Sequence, residues 1–183
     1  KISLSDLEEL RFKLTRYYVE QGYLNSGILL PEQHITNGIV HYQIVEGRLS
    51  AINITGNGRL NTDYIRERIE LDTQKVFREN DLQRGFQKLL SDRMIKRLNG
   101  ALKPGDKPGE GILDLQVTAQ DPLQLNLSID NHHAVSSGEL QAKINPVINN
   151  LSGYGDILSL ELGHSEGNTQ FSAFYSLPLS PRD

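Results

Sequence analysis

The sequence predicts an α+β fold in which a duplicated helix-and-hairpin unit precedes strands that are antiparallel throughout. Three observations carry that expectation. Leu123 to Leu179 alternate apolar and polar residues with a period of two through successive segments. The preceding part of the chain repeats itself at a shift of 73 residues, which superimposes Val40, Tyr42 and Ile44 on Leu113, Leu115 and Val117. No helical pattern interrupts the terminal segments.

The first copy opens with a helix expected over 5–21. Ser5 and Glu8 have the spacing of a capping box, Leu7, Leu10, Leu14 and Tyr17 share one helical stripe, and Gly22 supplies a stop. The second copy opens in the same way at Asn80 and Gln83, with a helix expected over 80–97. Its apolar side is Leu82, Phe86, Leu89 and Leu90, and Asn99 and Gly100 mark its end. Each helix leads into a short strand, Ser26 to Leu30 or Leu98 to Leu102, then a loop containing Pro31 or Pro104, then a longer strand. The matched parity of the repeat predicts that Val40 and Leu113 face the same side of their sheets.

Between the copies, Ile52 and Ile54 mark a strand with one buried face, Gly56 and Gly58 a tight turn, and Thr62 to Leu71 a helix carrying Tyr64, Ile65 and Ile69. Added to the second copy, these make a β-α-α-β-β domain with a three-stranded mixed sheet. The first copy has only the later part of that order, a helix and a hairpin. The expected organisation is a partial first domain over 1–48, a complete second domain over 49–120, and strands over 121–183.

In the strands, Leu123, Leu125, Leu127 and Ile129 form one face, as do Leu140, Ala142, Ile144 and Ile148, then Leu158, Leu160 and Leu162, then Phe171, Ala173, Tyr175, Leu177 and Leu179. Two architectures produce this pattern. A transmembrane β-barrel shows lipid one face and a watery lumen the other, whereas a soluble antiparallel sheet buries one face against a core. No amphipathic helix follows that could cover the oily face, and alternation alone leaves both architectures open.

The chain has 183 residues, 37% hydrophobic and 23% charged, values ordinary for folded domains. A net charge of -4 offers no electrostatic footprint for nucleic acid. No cysteine is present, so disulfide and thiol chemistry are excluded. No run of apolar residues is long enough for a membrane-spanning helix. The chain opens at Lys1 and enters a capped helix at once, so an excised or trimmed amino end is expected rather than a signal peptide.

Nothing in the pattern supports catalysis, a metal or a cofactor, and the chain is expected not to be an enzyme. His132 and His133 are adjacent, which on a strand sends them to opposite faces, and they sit where a hairpin tip is expected. The Gly56/Gly58 and Gly153/Gly155 pairs lack the strand-turn-helix context of a nucleotide loop and read as turns. Tyr17, Tyr18 and Tyr23 read as packing residues rather than a ligand cage.

The wording of these segments resembles a known family. TRYYVEQGYLNSGILLPEQHITNGIVHYQIVEGRLSAINITG is similar to a first POTRA domain passing into a second, and RLNTDYIRERI with LKPGDKPGEGILDLQV is similar to the second. Asp130 and Asn131, with NNLSGYGDILSLEL, resemble the opening strands of the barrel that follows. These resemble the two-partner secretion outer-membrane transporters, the ShlB/FhaC/HecB-like group. Relative to a full member, the chain carries only the later part of the first POTRA domain and the first barrel strands.

The resemblance implies tandem POTRA domains followed by part of a transmembrane β-barrel, in a Gram-negative outer membrane with the POTRA region in the periplasm. The implied partners are the N-terminal secretion domain of an unfolded exoprotein and outer-membrane lipid, with no nucleic acid and no small-molecule substrate. Delivery of the exoprotein to the barrel would need no ATP. Alternatives are an insertase of the same superfamily and a soluble adhesion or scaffold module with 123–179 as half a sandwich. POTRA-type domains place the second strand at a sheet edge, and such an edge can accept an extended segment from another chain. The candidate partner site is therefore Leu98, Asn99, Gly100, Ala101 and Leu102, flanked by Arg93, Lys96 and Arg97 as a basic rim expected at the end of the preceding helix, where cations also suit the helix dipole.

Overall fold

The computed structural model describes residues 3–130 and 140–179; the expected hairpin tip with His132 and His133 lies outside them. The elements run α1 (Leu4–Glu20), β1 (Gly27–Leu29), β2 (Gln43–Val45), β3 (Arg48–Thr55), α2 (Thr62–Ile69), α3 (Glu79–Ser91), β4 (Ile95–Pro104), β5 (Glu110–Ala119), β6 (Leu123–Asp130), β7 (Gln141–Asn149), β8 (Ile157–Ser165) and β9 (Asn168–Ser176). They form a hairpin β1-β2, a three-stranded sheet in the order β3-β5-β4, and a four-stranded meander β6-β7-β8-β9. The β-α-α-β-β order of the second copy, the helix and hairpin before it, and the antiparallel terminal strands are therefore all present.

Two compact units organise these elements and cut across the second sequence domain. One gathers the chain up to Thr55 with Ile69–Leu89 and Leu98–Gln116; the other gathers Gly56–Arg68, Leu90–Arg97 and the chain from Val117 onward. In the first, Ile28, Leu49, Ile52, Ile69, Phe77, Leu89, Leu113 and Leu115 are buried. β3 and β5 pair in parallel, with a bulge between Leu49 and Ala51 that lets Leu49 and Ile52 both face inward despite their odd spacing. In the second unit, Leu60, Tyr64, Ile65, Met94, Ile95 and Val117 are buried.

Four local expectations are corrected. α1 is capped by Ser3, not Ser5: Asp6 Oδ2 accepts from the Ser3 amide at 2.7 Å and its hydroxyl at 2.8 Å, while Ser3 Oγ accepts from the Asp6 amide. Those bonds hold the Asp6 carboxyl below its ordinary value. The inward stripe of α1 is Leu7, Arg11, Thr15 and Tyr18, whereas Leu10, Leu14 and Tyr17 are exposed. Thr15 sets that rotation, because its Oγ1 accepts from the Ile28 amide at 3.0 Å.

The third correction is the end of α3, at Ser91 instead of 97. Asp92 ends it: its carboxylate takes the Met94 amide at 2.8 Å and its carbonyl takes the Ile95 amide at 3.1 Å, a local turn that competes with helix continuation. Asn99 and Gly100 consequently lie inside β4. The fourth is the first copy's return strand, which shrinks to Gln43–Val45. Asn37 and Gly38, both at positive φ, make the turn, and the Gln33 carboxamide brackets the His41 backbone at 2.7 and 2.8 Å in place of a neighbouring strand. Val40 is therefore outside any strand, and Ile44 is 56% exposed where its repeat counterpart Val117 is buried, so the expected parity does not extend to the first copy.

Candidate functional site

β4 is an edge strand, since only β5 lies beside it in the sheet order. Leu98 and Leu102 are half-buried, and Asn99, Gly100 and Ala101 are exposed. Gly100 has a packing reason: a Cβ there would fall 2.2 Å from Phe86 Cζ. The basic residues do not cap a helix. Arg93 lies in the turn after α3, Lys96 and Arg97 lie on β4 itself, and Lys96 Nζ pairs with Asp121 Oδ2 at 3.1 Å. The helix-dipole explanation for the cluster thus falls away. Cations along an exposed edge also discourage strand pairing between copies. On the same sheet, Asp114 accepts from Lys103 at 2.6 Å and Asn53 at 2.8 Å, which holds its carboxyl below the ordinary value.

The EGRL and PGEG stretches of the two segments quoted above meet at Asn25, a residue sequence reasoning missed. Asn25 Nδ2 donates to the Arg48 carbonyl at 3.0 Å and the Gly109 carbonyl at 2.9 Å. Gly47, from EGRL, lies so close that a Cβ would stand 2.3 Å from Asn25 Oδ1; its amide donates to Ser26 Oγ and its carbonyl accepts from Phe77. Gly109, from PGEG, has φ 84° and would meet Val45. The glycines permit the chain to be threaded between first and second sequence domains. Nearby, Tyr18 and Tyr23 pack edge to face at 6.0 Å and Arg78 covers Tyr23, so packing accounts for these two, while Tyr17 is exposed.

The meander is built inside out relative to a soluble sheet. Register aligns Leu123, Leu125, Leu127 and Ile129 with Ile148, Pro146, Ile144 and Ala142, then Leu158 and Leu162 with Tyr175 and Phe171, so one face is apolar across all four strands. That face is exposed, with Ile129 at 73%, while Gln141 on the opposite face is 1% exposed. On the polar face, Asn126 Nδ2 donates to Asn145 Oδ1 at 3.2 Å, and Asn145 Nδ2 donates to Ser159 Oγ at 2.9 Å and to the Leu160 carbonyl at 2.6 Å. The last bond stands in for one that Pro146 cannot make: β7–β8 pairing runs from Ile144/Leu162 to Val147/Ser159, and the intervening proline has no amide to offer Leu160.

The β7–β8 turn, residues 150–156, is held by Asp156, which is fully buried. Asp156 Oδ1 accepts from the Ser152 amide at 2.8 Å and hydroxyl at 2.6 Å, and Oδ2 accepts from the Tyr175 hydroxyl at 3.1 Å. Burial pushes its pKa up, but these donors outweigh it and hold the carboxyl below its ordinary value. The turn contacts the start of α2. The Asn61 amide donates to the Gly153 carbonyl at 2.8 Å, Asn61 Nδ2 to the Tyr154 hydroxyl at 2.9 Å, and Arg59 to the Leu151 carbonyl at 3.0 Å. Beneath it, Tyr64 donates to Asp92 Oδ2 at 2.7 Å and Arg68 pairs with the same oxygen at 2.9 Å; burial and that bond to a carboxylate push the Tyr64 hydroxyl well above its usual pKa.

Among the described residues no cluster of His, Asp or Glu could hold a metal ion, and no helix is long and apolar enough to cross a membrane. A β-α-α-β-β domain preceded by a helix and hairpin, and followed by an antiparallel meander with one exposed apolar face, has the order of a POTRA domain leading into barrel strands. Residues 1–47 match the POTRA domain of ShlB type, and residues 109–182 match the haemolysin secretion/activation protein ShlB/FhaC/HecB. The outer membrane transporter CdiB of Dickeya dadantii (strain 3937) is 26% identical over 164 residues, which is 89% of this chain and 28% of that protein. The solved structure of CdiB from Escherichia coli superposes at a TM-score of 0.61 with 25% identity, covering 97% of this chain and 34% of that one. BamA from Haemophilus ducreyi lacking POTRA domains 1-3 superposes at 0.65 over 98% of this chain and 34% of that one, but at 11% identity this is a likeness of fold alone.

Over residues 1–47 and 109–182, and along most of its length against these relatives, the chain is similar to the ShlB/FhaC/HecB family of two-partner secretion transporters. It spans less than a third of the length of the curated relatives it matches. The family is one of protein transporters rather than enzymes.

Proposed function

We propose that this chain is part of a two-partner secretion transporter, in which periplasmic POTRA domains capture an unfolded exoprotein and deliver it to an outer-membrane barrel. The observation that carries the membrane half of this reading is the meander, whose leucines and isoleucines are presented outward while glutamine, asparagine and aspartate are sheltered. In water that arrangement is unfavourable by roughly 25 cal/mol per Å² of exposed apolar surface, and in hydrocarbon the cost vanishes. This favours lipid over the soluble-sandwich alternative. The insertase alternative is supported by likeness of fold alone, whereas the family matches fall on the secretion transporters.

The capture half rests on the β4 edge. A strand-added segment would draw its affinity from backbone bonds, with Leu98 and Leu102 offering apolar contacts and Lys96, Arg97 and Lys103 favouring an acidic or neutral client over a basic one. In the test, a photo-crosslinking side chain replaces Asn99 or Ala101 on β4, or Asn53 on β3, in the membrane-embedded protein. The secretion domain of the partner should be captured from β4 and not from β3. Equal capture at both, or capture at β3 alone, would refute the edge assignment.

A further inference from the structure

We propose that the β7–β8 turn is a docking element that stays seated on the amino end of α2 and fixes the second POTRA domain's entry to the membrane sheet, so that seating is required for export but not for client capture. The proposal rests on the transporter reading above. The turn is shaped for this contact. Gly153 and Gly155 both have positive φ, at 95° and 79°, and a Cβ at Gly155 would stand 2.5 Å from the Tyr64 hydroxyl and 2.8 Å from its ring. A side chain at Gly155 therefore strains the backbone and also drives into a ring that has little freedom, because Tyr64 is bonded to Asp92 and lies beneath the Arg68 guanidinium at 3.5 Å.

The internal bonds of the turn preset the same shape. Asn150 Oδ1 accepts the Gly155 amide at 3.0 Å, and the Asn150 amide donates to the Asp156 carbonyl at 2.6 Å. Ser152 is held by Asp156, as described. Three further bonds then cross from α2 and its lead-in, two of them to turn carbonyls. A free hairpin turn needs neither a buried carboxylate nor a tyrosine fitted against its glycine. A preshaped turn with satisfied polar groups fits a permanent joint better than a latch that opens in each cycle.

The test uses the full-length protein in native membranes and in detergent. Gly155→Val should speed hydrogen exchange at the Asn61 amide by about tenfold or more, because that amide is protected by Gly153 only when the turn is seated. Binding of the secretion domain should remain unchanged while export falls. These 183 residues contain no cysteine, so once any cysteine elsewhere in the full-length protein is replaced, Asn61→Cys with Tyr154→Cys, joined by a short bis-maleimide, locks the seated state. That form should export as well as the unlinked protein.

Unchanged exchange at Asn61 in Gly155→Val, or faster exchange with full export, overturns the proposal. A locked form that cannot export also overturns it, since the joint would then have to open. Should Gly155→Val lose client binding as well, the locked form alone decides between these outcomes. If the unaltered protein exports no partner at all, the transporter reading fails, while Asn61 protection still reports whether the turn is seated.

Discussion

Removing the carboxylate of Asp92 should cost more than any other single charge change in the described residues. Its side chain is 10% exposed and that of Arg68 9% exposed, and their 2.9 Å contact is an ion pair largely withdrawn from water. Asp92→Ala leaves the guanidinium without its counter-charge, the Tyr64 hydroxyl without its 2.7 Å acceptor and the Met94 amide without its 2.8 Å acceptor. Breaking one partner of a buried pair costs about 3–5 kcal/mol. Asp92→Asn keeps one acceptor oxygen, which can serve the Met94 amide or the Tyr64 and Arg68 side of the group but not both, so its cost should be at least about 2 kcal/mol, the scale of hydrogen bonds to charged groups, and below that of Asp92→Ala. Replacing both partners, as Arg68→Met with Asp92→Leu, should recover much of the loss, because no buried charge remains.

The assay is urea unfolding of the detergent-solubilised protein, followed by helix circular dichroism because the chain has no tryptophan. Arg84→Ala, which removes the exposed pair with Asp81, is the reference and should change stability by less than about 1 kcal/mol. If Asp92→Ala were no worse than Arg84→Ala, or if the double replacement were as damaging as the sum of its parts, the buried-pair argument would be wrong.

Gly47→Ala should destabilise by about 2–3 kcal/mol, since its Cβ would overlap Asn25 and disturb that residue's two bonds; denaturant midpoints within error of the unaltered protein would contradict this. Asp156 contributes stability that is fully present above the ordinary carboxylate value of 3.8 and is lost as pH falls through its lowered folded value. Thermal midpoints should therefore be flat from neutral pH down to that range and fall only in stronger acid, and the difference from Asp156→Asn should shrink there. A fragment ending at Gln120 should stay monodisperse in light scattering without detergent, whereas the 183-residue chain should associate unless detergent covers its apolar face. A detergent-free monomer of the whole chain would restore the soluble-sandwich alternative.

The meander was legible because strand geometry forces alternation: once Leu123, Leu125, Leu127 and Ile129 share a face, every paired strand must match them. The core of α2 was legible for the same kind of reason, Tyr64, Ile65 and Ile69 all being buried. Ends were less legible. Leu89, Leu90, Met94 and Arg97 continue a plausible helical rhythm, and the turn at Asp92, whose carboxylate accepts from Met94 and whose carbonyl accepts from Ile95, stops it at Ser91. The rotation of α1 likewise depends on one distant bond from Ile28 to Thr15. For the candidate edge, sequence placed Leu98 to Leu102 on a strand but put its basic neighbours on the wrong element. Asn25, Asn145 and the seat for Gly155 were invisible, because each is defined by a partner far away along the chain.

Asn145 and Pro146 have an evolutionary consequence that their geometry dictates. The asparagine supplies the Leu160 carbonyl with the donor that its proline neighbour lacks. Within a bilayer an unanswered carbonyl has no water to turn to. Loss of the amide side chain is thus tolerable only in a background where the proline has already given way to a residue with an N–H. Proline can enter the strand safely only after an amide side chain stands before it. Across homologous barrels the two positions should change in that order, as a pair whose intermediates are restricted to one mutational path.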